Sequence, residues 1–181
     1  AQFEYSNQLY KTAILILKKE RPNGENKADI IANYHDLIKN HLQTDSLEQV
    51  KLYLAETFKI VDEESLDFFD TKLLEGLYLY KNSQYNEANV VLSKSLAYYQ
   101  KTLKPGSQNI AENYLVLAHV KIALAEYANA RNIIKKGKVI TVINHGEDSE
   151  RFANYLKLDA QLDKLIGKYK ESEKKYYQIL E

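Results

Sequence analysis

The chain has 181 residues, 45% of them hydrophobic, and its 25 Lys and Arg side chains are balanced by 25 Asp and Glu. A net charge of zero argues against general nucleic-acid or membrane-surface binding, because both need an excess of basic residues. The absence of cysteine excludes disulfides, thiolate metal sites and thiol nucleophiles, and no apolar run reaches the roughly 18 residues of a membrane span.

The first third of the chain has the pattern of three amphipathic helices. Apolar residues at three- and four-residue spacing predict helices over Phe3–Glu20 and Lys27–Leu42. Proline and glycine within Arg21–Gly24 predict a turn between them. A third helix is predicted to begin near Ser46, a residue type favoured at the N-cap.

Three pairs of helices are predicted to follow. The first helix of each pair covers roughly Leu66–Asn82, Asn109–Ala125 and Glu150–Ile166. The second helix of each pair covers roughly Asn86–Thr102, Ala128–Ile143 and Lys170–Leu180. Lys138–Ile143 is rich in β-branched residues and by itself is typical of a strand. Its register matches Tyr98–Thr102 one period earlier, so we predict a helix, because local propensity is a weak prior.

Equivalent residues recur every 42 positions in blocks that begin at residues 69, 111 and 153. Each block has a small residue at its eighth position, Tyr at its seventeenth, a small residue at its twentieth and a large one at its twenty-fourth. In that order these are Gly76, Ala118 and Ala160; Tyr85, Tyr127 and Tyr169; Ala88, Ala130 and Ser172; Leu92, Ile134 and Tyr176. A fixed period of this length indicates stacked helical hairpins.

The segment Ala111–Ala118, followed by Tyr127 and Ala130, resembles the tetratricopeptide repeat (TPR) family. The period of 42 residues, rather than the usual ~34, and the connection at Gly146–Ser149 resemble its kinesin-light-chain type. The resemblance implies an all-α fold, a right-handed α-α superhelix in the form of a TPR-like solenoid with about nine antiparallel helices. The resemblance covers about Ile31–Glu181. The repeat pattern itself predicts a single TPR-like helical repeat domain over 1–181, with degenerate N-terminal helices at 1–62 and well-matched repeats at 65–106, 107–148 and 149–181, as a fragment of a longer protein.

In this family, partners lie along the concave surface that the first helices form. Carried over by position, the candidate partner-binding residues are Leu73, Leu77, Tyr80, Glu112, Leu115, His119, Ile122, Asn154, Lys157, Gln161 and Lys164. This surface suits an apolar peptide with a carboxylate near Lys157 and Lys164. The alternative is that the apolar members pack between adjacent first helices and that the two lysines are ordinary solvated charges.

The sequence contains no arrangement that predicts catalysis. His35 and His41 are six residues apart and do not share a helix face, and no His-Glu-x-x-His pattern occurs. A Gly-rich phosphate loop and a Gly-x-Ser-x-Gly turn are also absent. We therefore predict no enzyme activity, no catalytic residues, no metal and no cofactor.

The favoured interpretation is a protein-interaction scaffold that binds a peptide or partner helix on its concave face. The resemblance also suggests a sensory or docking module of a larger signalling protein. The alternative is a structural, self-associating module that forms a homo-oligomer through uncapped terminal helices. Ala1-Gln2 is compatible with a signal-peptide cut and with an arbitrary boundary, which leaves open a cytoplasmic or an exported, periplasmic location.

Overall fold

The computed structural model describes residues 2–20 and 26–180, so the predicted turn at 21–24 lies outside the described residues. Within them the chain forms helices and no strand, which confirms the all-α prediction. The helices are α1 (Gln2–Glu20), α2 (Lys27–Gln43), α3 (Leu47–Phe58), α4 (Leu66–Lys81), α5 (Tyr85–Thr102), α6 (Gln108–Ala123), α7 (Tyr127–His145), α8 (Glu150–Leu165) and α9 (Tyr169–Leu180). Their ends agree with the predicted ones to within two residues, which is the usual uncertainty of helix ends.

The chain divides into two compact units, residues 1–84 and 85–181. In unit 1, α1 packs on α2, α2 packs on α3, and α4 contacts both α2 and α3. Its core includes one cluster around Ile38, Val50 and Leu54 and another around Ile14 and Leu37. The prediction of one continuous repeat domain stays a prediction.

Unit 2 is a run of antiparallel helices in which each helix packs on the next, and α6 also contacts α8. The recurring small residues of α6 and α7 are fully buried, because Ala118 and Ala130 are both 0% exposed. Ile134 is buried beside them, but its equivalent Tyr176 on α9 is 37% exposed. The difference arises because α8 covers this side of α7, whereas no described helix covers the same side of α9.

Four helices, α2, α4, α6 and α8, end in the same hydrogen-bonded turn. The residue two positions before the second helix has a positive φ, between 52° and 80°, at Asp45, Ser83, Ala125 and Gly167. The following N–H bonds back to the carbonyl five residues earlier, from residue 46 to 41, 84 to 79, 126 to 121 and 168 to 163, at 2.8–2.9 Å. This is the Schellman pattern, which satisfies carbonyls that a helix end leaves unpaired. It explains why Tyr85, Tyr127 and Tyr169 each begin a helix at equal intervals.

A serine precedes each of α4, α6 and α8, at an interval of 42 residues. Ser65, Ser107 and Ser149 occupy the N-cap positions of α4, α6 and α8. The hydroxyls of Ser65 and Ser149 accept the backbone N–H three residues later, at 3.1 and 3.2 Å. The Ser107 hydroxyl instead donates to Asn109 Oδ1 at 3.3 Å. Two of the three serines therefore stabilise the start of a helix directly.

The β-branched segment of α7 is helical, as the repeat register predicted. Lys138–Ile143 lies inside α7, which continues to His145. On its inner side Gly137 and Thr141 are buried, and Val139 points outward with 54% of its surface exposed. Packing of this one face overrides the local strand preference.

Exchanging alanine and glycine in the helix-ending turns should change stability in opposite directions. Ala125 has φ 58° and Gly167 has φ 80°, a region that costs an L-residue roughly 1–2 kcal/mol. After allowing for the greater freedom of glycine in the unfolded chain, we expect Ala125→Gly to stabilise by about 0.5–1 kcal/mol. Gly167→Ala should destabilise by a similar amount. Urea denaturation of both variants measures this, and a shift of the same sign in both would contradict the shared turn.

Candidate partner-binding surface

The predicted binding residues of unit 1 lie on α4 and largely contribute to packing. Leu73 is buried, and Leu77 packs against the cluster around Val50 and Leu54. Tyr80 is half-buried near the end of the same helix. Leu73 is therefore part of the buried core, whereas Leu77 borders it and keeps part of its surface exposed.

The predicted residues of unit 2 lie on two helices that contact each other, α6 and α8. We call this surface the α6–α8 face, and its members are Glu112, Leu115, His119 and Ile122 on α6 and Asn154, Lys157, Gln161 and Lys164 on α8. Their spacing of three or four residues keeps each set on one side of its helix. The α6 residues are half-buried, whereas Asn154, Lys157 and Lys164 are exposed.

An ion pair connects the two helices at one end of the α6–α8 face. Arg151 Nη1 lies 2.6 Å from Glu112 Oε1, and Gln108 Nε2 donates to the same oxygen at 3.2 Å. Both charged side chains are about half exposed, so the pair contributes at most about 1 kcal/mol to stability. Its larger consequence is electrostatic, because it neutralises the only carboxylate of the predicted set.

His119 adds no positive charge to the face at neutral pH. Burial, followed by the positive charge of Lys157, lowers its pKa to about 4. The imidazole is therefore neutral, and the basic side chains of the face are Lys157 and Lys164, which are exposed on α8. The result is a half-buried apolar strip on α6 beside a basic, exposed strip on α8.

Buried carboxylates on the other side of α8 fix its orientation. Asp159 and Asp163 are buried, and the Arg131 guanidinium from α7 forms ion pairs with both, at 2.5 Å to Asp163. Lys175 from α9 lies 2.8 Å from Asp159 and also pairs with Asp163. Burial by itself raises the pKa of Asp163, but hydrogen bonds and charges from Lys175 and Arg131 outweigh it and hold that pKa below its usual range. The network ties α7, α8 and α9 together.

The histidines of unit 1 take part in internal hydrogen bonds. His35 Nε2 lies 2.8 Å from Thr71 Oγ1, and Asn7 Nδ2 donates to His41 Nε2 at 3.3 Å. Across residues 2–20 and 26–180, no three potential metal ligands from His, Cys, Asp and Glu come together. Every helix in these ranges is too short or too polar to cross a lipid bilayer.

The neutral overall composition concealed a basic stretch in unit 2. Residues 88–146 contain eight Lys and Arg but only two carboxylates, Glu112 and Glu126. Counting charge over the whole chain missed this excess, whereas counting it over each repeat would have found it.

No protein-family model and no curated protein matches this sequence. Solved structures do match it. The BtubC (BKLC) protein of P. vanneervenii superposes with a TM-score of 0.78 at 11% identity, over 99% of this chain and 73% of that one. A Podosopora anserina protein, named for kinesin light chain and for its nearly identical TPR-like repeats, superposes with TM-scores of 0.64 and 0.62 in two structures. In both, the identity is 16%, and the match covers 98% of this chain and 85% of that one.

At sequence identities of 11–16%, these matches show a shared fold and nothing about function. The superpositions confirm the fold drawn from the sequence: this chain has a TPR-like helical repeat fold.

Proposed function

We propose that this chain is a protein-interaction scaffold and that the α6–α8 face of unit 2 binds a peptide or a partner helix. The observation that carries the proposal is the pairing of half-buried Leu115 and Ile122 with exposed Lys157 and Lys164. An apolar strip bordered by cations, with its one carboxylate neutralised, is complementary to an apolar segment that carries Asp, Glu or a terminal carboxylate.

The rigidity of this face supports the same proposal. The ion pair between Arg151 and Glu112 joins α6 to α8 on the face itself. The buried ion-pair network around Asp159 and Asp163 fixes α8 on the side away from the α6–α8 face. A surface that is already ordered loses little conformational entropy when a partner binds, which favours affinity.

Reversing the charges of Lys157 and Lys164 on α8 should weaken partner binding. We expect Lys157→Glu/Lys164→Glu to lower affinity for partners recovered from native extract by about tenfold, or roughly 1.4 kcal/mol. The matched control is Lys168→Glu/Lys174→Glu, which changes the same charge at two exposed lysines of unit 2. Quantitative pull-down at several protein concentrations measures the affinity of each variant. Equal recovery by the wild type and both variants would show that the α6–α8 face does not bind these partners.

A second candidate function is self-association through the terminal helices. Exposed apolar side chains on α1 and α9 favour it, including Leu15 at 69% and Leu180 at 81% exposed. Such residues are a common feature of association surfaces when they occur together. Sedimentation over a wide dilution range distinguishes the two functions, because a scaffold that acts as a monomer keeps a constant mass and a self-associating module does not.

A further inference from the structure

A second groove lies between α5 and α7, on a different side of unit 2 from the α6–α8 face. Its volume is about 520 Å³. Ile110 and Tyr114 of α6 form its floor, and Val139 and Ile140 of α7 form one wall. Because successive helix residues are about 100° apart, Ile110 lies on nearly the opposite side of α6 from Glu112. We call this site the α5–α7 groove.

Hydrogen bonds hold the α5–α7 groove open in a fixed shape. Gln100 Nε2 of α5 donates to the Tyr114 hydroxyl at 3.0 Å. At one end of the groove, Asn144 Nδ2 of α7 donates to the Gly106 carbonyl at 2.8 Å. The second bond fixes the loop that carries Pro105, another lining residue. The groove therefore exists before any partner arrives.

The charges around the groove are of one sign. Lys135 and Lys136 line it and are exposed, and no carboxylate does so. The two carboxylates of the basic stretch are already paired: Glu112 with Arg151, and Glu126 with Lys121 at 2.8 Å.

The lysine pair is not required by the repeat. One period earlier the equivalent residues are Ser93 and Lys94, and one period later they are Tyr177 and Gln178. In the described part of the chain neither Lys135 nor Lys136 forms an ion pair. Of the three equivalent positions, only 135 and 136 carry two adjacent lysines.

We propose that the α5–α7 groove is a second binding site, which takes an acidic segment of a partner protein. One large apolar side chain of that segment lies over Tyr114 and against Val139, and its carboxylates pair with Lys135 and Lys136. A protein segment fits better than a nucleic acid, because the floor is apolar and the only aromatic ring lining the groove, that of Tyr114, is buried. Binding of single-stranded nucleic acid relies on accessible aromatic rings for base stacking.

The test uses the whole chain labelled with ¹⁵N and a defined probe, the peptide acetyl-Asp-Glu-Phe-Leu-Asp-Glu-amide. We expect amide shifts at Tyr114, Lys135, Lys136 and Val139, with a dissociation constant at or below about 1 mM. A second probe with Ser in place of Phe and Leu should bind at least about fivefold more weakly, because it lacks the apolar anchor. Higher salt should weaken binding of the first probe.

Three variants with the same change in charge decide where the probe binds. Lys135→Glu/Lys136→Glu should weaken it at least about fivefold, and Lys168→Glu/Lys174→Glu should leave it unchanged. All of these lysines are exposed, and circular dichroism melts check that the variants fold. Shifts confined to α8 and abolished only by Lys157→Glu/Lys164→Glu would overturn the second site while supporting the α6–α8 face. No shifts at several millimolar probe would also overturn it. Tighter binding of oligothymidine than of the peptide, lost in Lys135→Glu/Lys136→Glu, would overturn the assignment to a protein partner.

Discussion

Gly137→Ala is expected to destabilise the chain by about 2–3 kcal/mol, although Ala is the better helix former. Gly137 lies in the middle of α7, and a Cβ atom there would overlap the ring and hydroxyl of Tyr155 on α8. Tyr155 cannot move aside cheaply, because it is buried and its hydroxyl donates to the Ala111 carbonyl. The steric cost therefore exceeds the roughly 1 kcal/mol that Ala gains over Gly in a helix. Urea denaturation of the variant against the wild type measures the loss.

Two further variants show whether the tyrosine ring is the cause. Gly106→Ala should be within about 0.5 kcal/mol of the wild type, since nothing lies within 4 Å of its added Cβ. In a Tyr155→Leu background, Gly137→Ala should cost much less than in the wild type, because the overlapping atoms are gone. An equal cost in both backgrounds would show that α7 and α8 do not meet at these residues.

Asp163→Ala is expected to destabilise the chain by about 3 kcal/mol at neutral pH. The Asp163 carboxylate is buried between α8 and its neighbours, and it pairs with Arg131 from α7 and Lys175 from α9. Removing it leaves its two cations, each only partly exposed, to share Asp159 with a third, Lys138. The exposed Asp148 is a control, because Asp148→Ala should change stability by less than about 0.5 kcal/mol.

The pH dependence of stability separates the charge of Asp163 from its packing. Its folded-state pKa is lower than its ordinary value, so its contribution is complete above the unfolded-state pKa of about 3.9. That contribution is lost as the pH falls through the still lower folded-state pKa. The stability difference between the wild type and Asp163→Asn should therefore shrink as the pH is lowered from 7 through 4 to 3. A difference that stays constant over this range would assign the effect to packing alone.

The repeating features of the fold could be predicted from the sequence, because the same side chains recur at equal spacing. Tyr127 and Ala130 identified the start and the inner face of α7, and their repetition gave the neighbouring helices as well. The same register correctly assigned Val139 to a helix. Propensity alone favoured a strand there, because it takes no account of the packing of Gly137 and Thr141 on the inner side.

Features that occur in one hairpin only could not be predicted in this way. Gly137 on α7 is small and faces the large ring of Tyr155 on α8. This combination occurs at one helix interface only, so it leaves no periodic signal in the sequence. The ion pairs of Arg131 with Asp159 and Asp163 span 28 and 32 residues, and nothing in the local sequence marks those carboxylates as buried. The candidate site was predicted by carrying over the positions at which the TPR family binds partners. One of the residues at those positions, Leu73 of unit 1, is buried in the structure.

Backbone and side-chain NMR of the whole chain tests the central claim that unit 2 is a stack of equivalent helical hairpins. The account predicts helical ¹³Cα shifts without a break from Tyr127 to His145. It also predicts nuclear Overhauser contacts between the Tyr155 ring and the α-protons of Gly137. Extended-type shifts over residues 139–143, or a Tyr155 ring without contacts to Gly137, would contradict it.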